Sequence, residues 1–174
     1  MGTGWIFAEN GRVTSGAAAN PVVITDARPD ELAVIREMLQ EYREWLGIDL
    51  SFQGFSCEVH ELPGDYAPPD GRLLIARLNG EPVGMIAMRR LDAGRAEMKR
   101  LFVRPSARGA HIGRELVMRI IDAAGERGYT SIVLDTLPVM QSAQRLYAQF
   151  GFIDIPPYYE SPLPGTRYLG LRLR

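Results

Sequence analysis

A run of β-formers closed by proline, followed after a short loop by a strongly periodic helix, constrains this chain more than any other feature. Glu97-Met-Lys-Arg-Leu-Phe-Val103 is strand-like, and Arg104-Pro105 ends it, because proline cannot donate to a β-ladder. Beyond the loop 106–110, Ile112, Leu116, Val117, Ile120, Ile121 and Ala124 recur on one side of a helix. Arg114, Glu115, Arg119, Asp122 and Glu126 fall mainly on the other side, and Gly128 stops the run. A strand that feeds a helix through a Gly-containing, Arg-bearing loop is physically an anion site. The helix start offers unpaired N–H groups and the positive end of its dipole, and Gly109 and Gly113 allow close approach to the main chain. The expected guest is a phosphate or pyrophosphate.

The chain on either side organises itself around this unit. Residues 22–25 read as a short strand, and Arg28-Pro29-Asp30-Glu31 opens a helix whose apolar positions run from Leu32 to Leu46, ending at Gly47. The stretch 48–70 is irregular and aromatic, with one helical turn expected at 56–62 and Pro63-Gly64 and Pro68-Pro69 as breakers. Residues 72–78 and 82–90 form a hairpin around Asn79-Gly80. Downstream lie a buried strand at 131–135, a helix at 139–150, a short strand at 152–155 and a last strand at 166–173. Three antiparallel strands in a row, then strand–loop–helix and a parallel right-handed crossover, predict an α+β fold with a mixed sheet. Residues 1–20 read two ways, as a hairpin turning at Asn10-Gly11 or as a spacer-like extension, and 21–174 reads as one domain.

With 174 residues and a net charge of −1, nothing in the composition argues for a nucleic-acid or membrane partner. The single cysteine, Cys57, excludes an intrachain disulfide, and with only two histidines no metal site is expected. No apolar run reaches the roughly 18–20 residues of a membrane span, so a cytoplasmic location is expected.

Two motifs give the anion site a family resemblance. Arg108-Gly-Ala-His-Ile-Gly113, after a strand ending Leu-Phe-Val-Arg-Pro, resembles the acyl-CoA signature of the GNAT superfamily of N-acetyltransferases. Ala143-Gln-Arg-Leu-Tyr147-Ala-Gln-Phe-Gly151-Phe152 is similar to that family's downstream motif. The resemblance covers residues 22–173. It implies a central, mostly antiparallel sheet of about seven strands, helices on both faces, and a splay between the fourth and fifth strands. It also implies acetyl-CoA as cofactor and assembly as a homodimer.

Carried over residue by residue, the resemblance gives the pyrophosphate to the loop 108–114. The main chain of Gly109, Ala110, His111, Ile112, Gly113 and Arg114 would cradle it, with Arg108 adding charge. The strand residues Leu101, Phe102 and Val103 would pair with the pantetheine arm, which runs on past Met140 and Ala143. Tyr147 matches the general acid near the sulfur, and Glu97 a position that often carries the base, with Asp135 as an alternative. Tyr158, Tyr159 and Tyr168 are candidates for the acceptor pocket. Two positions depart from the pattern: His111 stands where the family has its first loop glycine, and Met140 where asparagine is common. The implied reaction is acetyl transfer from acetyl-CoA to a primary amine of a small molecule. A protein or peptide amine, and a non-catalytic acyl-CoA-binding module, stay open as alternatives.

Overall fold

The computed structural model describes residues 22–174, so both readings of 1–20 lie outside the described residues. Alternation along two central strands decides the layers. On β2 (Arg72–Leu78) and β3 (Glu81–Arg90), Leu73, Ile75, Met85 and Ala87 point to one face, and Leu74, Ala76, Ile86 and Met88 to the other. Each set builds its own core, since a sheet buried on both faces needs a cover on each. The first cover is α1 (Leu32–Leu46), which buries Ile35, Met38, Leu39, Tyr42 and Leu46 along one stripe. The second is α3 (Ile112–Glu126), which buries Ile112, Leu116, Val117, Ile120, Ala123 and Ala124. Each large aliphatic chain contributes about 1.5–3 kcal/mol by leaving water.

With β1 (Val22–Asp26), β4 (Arg95–Val103), β5 (Ser131–Thr136), β6 (Ile153–Asp154) and β7 (Arg167–Arg172), the sheet has seven strands in the order β1-β2-β3-β4-β5-β7-β6. Every neighbouring pair is antiparallel except β4 and β5. Those two meet in parallel at only three positions, Arg95–Glu97 against Ser131–Val133. From Met98 onward the β4 edge that faces β5 has no ladder partner, and the sheet opens into a V. The mixed, seven-stranded, splayed fold expected from sequence is the one observed.

Local boundaries differ from the sequence reading in understandable ways. In the stretch 48–70, α2 (Phe55–Glu61) makes about two turns rather than one, launched from Gly54 in the left-handed region at φ 69°. The helix α4 (Gln141–Gln149) starts two residues later than its apolar pattern suggests, because Met140 is its cap, at ψ 43°. The strand expected at 152–155 shrinks to β6, because Pro156 and Pro157 have no N–H with which to extend a ladder.

Candidate active site

The loop between β4 and α3 turns its main chain toward solvent. Gly109 has φ 90° and His111 φ 58°, and the helix begins directly after His111 with no side chain capping it. Glu115 N–H is the first to find a backbone acceptor, the His111 carbonyl. Among the described residues, the N–H groups from Gly109 through Arg114 therefore have none, and they lie together at the positive end of a four-turn helix. A Cβ at Gly109 would meet nothing within 4 Å, so the approach is open. Histidine tolerates the left-handed conformation better than most residues, which explains how His111 replaces the expected glycine. Valine there should cost about 1–2 kcal/mol. Thermal unfolding of His111→Val, compared with a His111→Gly variant at least as stable as the native protein, checks this.

This helix start forms one end of a cleft of about 390 Å³ running along the free edge of β4. Leu101, Phe102, Val103, Arg108, Gly109, His111, Ile112, Gly113, Arg114, Met140 and Ala143 line it, which brings together all but one of the cofactor residues read from sequence. Ala110 belongs to the same loop but is not part of the lining. The Arg108 guanidinium lies 5.3 Å from the Trp45 ring and donates to the Val103 carbonyl at 3.2 Å, so it is held at the rim. Trp45, at the end of α1, also lines this cleft.

Halfway along β4 the pleat reverses. Ala96 and Met98 face the α3 core, yet Phe102, of the same parity, packs in the α1 core. The cause is a bulge opposite Ile86, where Arg100 adopts φ 59°. Arg100 is 6% exposed and fully engaged. It donates to Glu58 at 2.8 and 2.6 Å and to the Gln53 side-chain oxygen at 3.0 Å, and it sits 5.2 Å from the Phe55 ring. One buried side chain thus ties the strand where the sheet splays to the α2 segment. Burial pulls the Glu58 carboxyl up, but the Arg100 hydrogen bonds and charge, with the Tyr66 hydroxyl, outweigh it and leave it below its ordinary value.

At the splay lies a chamber of about 30 Å³, enough for one water-sized group. Its lining includes Tyr42, Gln53, Lys99, Leu101, Asp135, Met140 and Tyr147. It shares Leu101 and Met140 with the cofactor cleft, and Gln53 and Lys99 with a second cleft of about 240 Å³ on the far side. That second cleft is walled by Phe52, Arg89, Leu91, Glu97, Tyr158 and Tyr159. Tyr168 is not in it; it is buried behind, edge-on to Tyr158 and Tyr159 at 5.3 Å.

Tyr147 is 4% exposed, and burial, with the nearby charge of Asp135, pushes its phenol well above the ordinary value. Glu97, 2% exposed, receives Arg89 at 2.7 Å, Tyr158 at 3.0 Å and Lys99 at 3.4 Å. Lys99 also donates to Asp135 at 3.2 Å, and Gln53 reaches Asp135 at 3.4 Å. Of the two carboxylates, Asp135 lines the chamber beside Tyr147, whereas Glu97 lies one step out in the second cleft. Burial and the Glu97 charge raise the Tyr158 phenol, and burial and Asp135 raise that of Tyr159, so both stay neutral donors. Sequence reasoning missed Lys99, Arg100, Arg89 and Gln53. The Lys99-Arg100 doublet in the middle of a strand that is buried along most of its length was the available signal.

An orphaned helix start, an open strand edge and a buried tyrosine at their meeting point are the parts an acyl-CoA-dependent transferase needs. Comparison with known proteins agrees. The model of the acetyltransferase (GNAT) family matches residues 35–152, and the chain belongs to that family. It is 40% identical over 147 residues to an uncharacterized N-acetyltransferase of Schizosaccharomyces pombe, covering 83% of this chain and 90% of that one. An IAA acetyltransferase of Azospirillum brasilense is 36% identical over 138 residues, covering 79% and 88%. Among solved structures, an acetyltransferase from Streptococcus agalactiae superposes with a TM-score of 0.73 at 26% identity, over 87% of this chain and 98% of that one. The protein is therefore an N-acetyltransferase that uses acetyl-CoA. No helix among the described residues is long and apolar enough to cross a membrane, and none of the described His, Cys, Asp and Glu residues gather in threes around a metal-sized space.

Proposed function

We propose that the acceptor is the primary amine of a small molecule, and that it attacks the acetyl group directly at the mouth of the 30 Å³ chamber, where the two clefts meet. The observation that carries this reading is the continuity of the three spaces: cofactor cleft, chamber and second cleft share lining residues in sequence along β4. The residues present fit the cofactor, for unpartnered amides lie where an anion is needed and an unpaired strand edge where a peptide-like arm is needed. When bound, acetyl-CoA supplies an activated thioester.

Around it the chain's groups divide the work. The loop amides from Gly109 to Arg114 and the Arg108 charge hold the pyrophosphate. Leu101 and Val103 offer their main chain to the pantetheine arm, and Phe102, Met140 and Ala143 flank it. Asp135 and Glu97, bridged by Lys99, take up the proton that the amine sheds. Tyr147 donates to the departing sulfur, and its raised phenol stays protonated through neutral pH. With acetyl-CoA bound, the thioester would give up its carbon–sulfur bond as the nitrogen–carbon bond forms, and the thiol would leave with the proton from Tyr147. The acceptor cleft, at about 240 Å³, falls below the roughly 300–1,000 Å³ usual for drug-sized ligands, which favours a metabolite over a peptide.

The domain is read as residues 21–174 in a reducing, cytoplasmic setting, which suits the exposed free thiol of Cys57. A homodimer is read through the C-terminal strands, where Ile153 of β6 is 68% exposed, and mass measurement by sedimentation in solution tests it. The activity itself is tested by thiol release from acetyl-CoA with a panel of small primary amines. The expected result is one acetylated amine per thiol released. Thiol release that no amine accelerates would count against the reading.

A further inference from the structure

The charges of the acceptor cleft are not free to be counted alike. Glu97 is covered: Tyr158 and Lys99 take one of its oxygens, and Arg89 takes the other. Lys99 is consumed between Glu97 and Asp135, with its side chain 6% exposed. Two charged groups remain for a guest. Asp135 is at the inner end, in the chamber, where Lys99 and Gln53 each donate to one of its oxygens at 3.2 and 3.4 Å and leave further lone pairs for a guest. Arg89 is at the outer end, on β3 directly opposite Glu97. Its Nε is spent on Glu97, but its side chain is 34% exposed, and the one further partner is the exposed Asp65 at 3.6 Å. A pair that exposed and that long is worth little and yields to a better one. The walls between the two ends are Phe52, Tyr158 and Tyr159.

Resting on the acetyl-transfer reading above, we infer that the acceptor is an amine that also carries a carboxylate, and that Arg89 is the residue that selects it. Such a guest lies with its ammonium end toward Asp135, its body between the aromatic walls and its carboxylate on the Arg89 guanidinium, whose planar fork suits a carboxylate. A diamine or polyamine would instead set its second cation beside Arg89. Arg89 is a specificity residue and takes no part in the bond-making.

The test uses the full chain with acetyl-CoA, and compares ω-amino carboxylic acids with diamines and simple monoamines of equal length, and α-amino acids with their amides. The expected kcat/KM favours the carboxylated member of each set by roughly 10- to 100-fold. Arg89→Gln, which also removes a hydrogen bond from Glu97, should erase that preference by lowering kcat/KM for the carboxylated member of each set far more than for its partner, with the KM for acetyl-CoA unchanged, and Arg89→Lys should restore part of it. Diamines used as well as amino acids by the native protein would overturn the inference while leaving acetyl transfer intact. So would an Arg89→Gln variant that loses kcat equally on every acceptor, which would make Arg89 a mere support for Glu97. Failure to acetylate any amine, with acetyl-CoA still bound, would overturn the underlying reading and this inference with it.

Discussion

Replacing Tyr147 with phenylalanine is expected to lower kcat by about 10²–10⁴-fold, the usual contribution of a positioned acid or base. The ring itself is structural: it packs 5.7 Å from Phe152 inside the α3 core, and phenylalanine preserves that contact. What the substitution removes is a hydroxyl at the chamber, whose phenol is perturbed by burial and by charge rather than by any hydrogen bond. Stability and acetyl-CoA affinity should therefore hold while turnover falls. Steady-state kinetics at saturating acetyl-CoA, with calorimetric binding as control, separates the two. Because the phenol's pKa is raised, Tyr147 is protonated throughout the neutral range and should impose no alkaline limb on the native rate below about pH 10. A kcat within a few-fold of native would move the acid elsewhere.

Arg100→Ala is expected to be the most damaging single change to the fold. It leaves the Glu58 carboxylate, 14% exposed, without its two charged hydrogen bonds, and breaking a buried pair from one side costs about 3–5 kcal/mol. For a chain of this size each kcal/mol is worth about 2–4 °C in Tm. Replacing both partners by apolar residues, as Arg100→Met with Glu58→Leu, should cost less than the single change, because no charge is stranded. The pair also sets a pH dependence. The Glu58 carboxyl is lowered in the folded state, so its contribution is complete above the unfolded value near 4.3 and is lost as pH falls through the folded one. Urea titrations between neutral and acid pH should show that loss in the native protein and not in Arg100→Ala.

Much of the fold was legible because its signals are local. Proline at 105, the helix periodicity from Ile112 and the Asn79-Gly80 turn each announce an element from a few residues, and all three stand as expected. That the residues proposed for the cofactor share one cleft was legible for the same reason, since a single loop and the helix after it build most of it. The acceptor side was not. Its key groups come from four separate elements: Gln53 ahead of α2, Arg89 on β3, Lys99 and Arg100 on β4, and Asp135 on β5. No spacing in the chain encodes their meeting. The bulge hid as well, because a strand that shifts by one residue at Arg100 keeps the same composition while exchanging its faces. Trp45 was not legible either, because α1 borders both the chamber and the long cleft, and only rotation about the helix axis decides which one a ring reaches.

We propose that acetyl-CoA binds at the start of α3 and along the open edge of β4. Calorimetric titration of the native chain and of Gly113→Asp tests it most directly. A Cβ at Gly113 would meet Leu146 and Val103 only at 3.7 and 3.8 Å, so the variant has room to fold, and an acid in the first turn favours the helix. The same charge repels a pyrophosphate. The native chain should bind with micromolar affinity, about −8 kcal/mol. The variant should bind roughly 100-fold more weakly with no loss of thermal stability. Equal binding by both proteins, or none by the native chain, would contradict the placement of the cofactor at this helix.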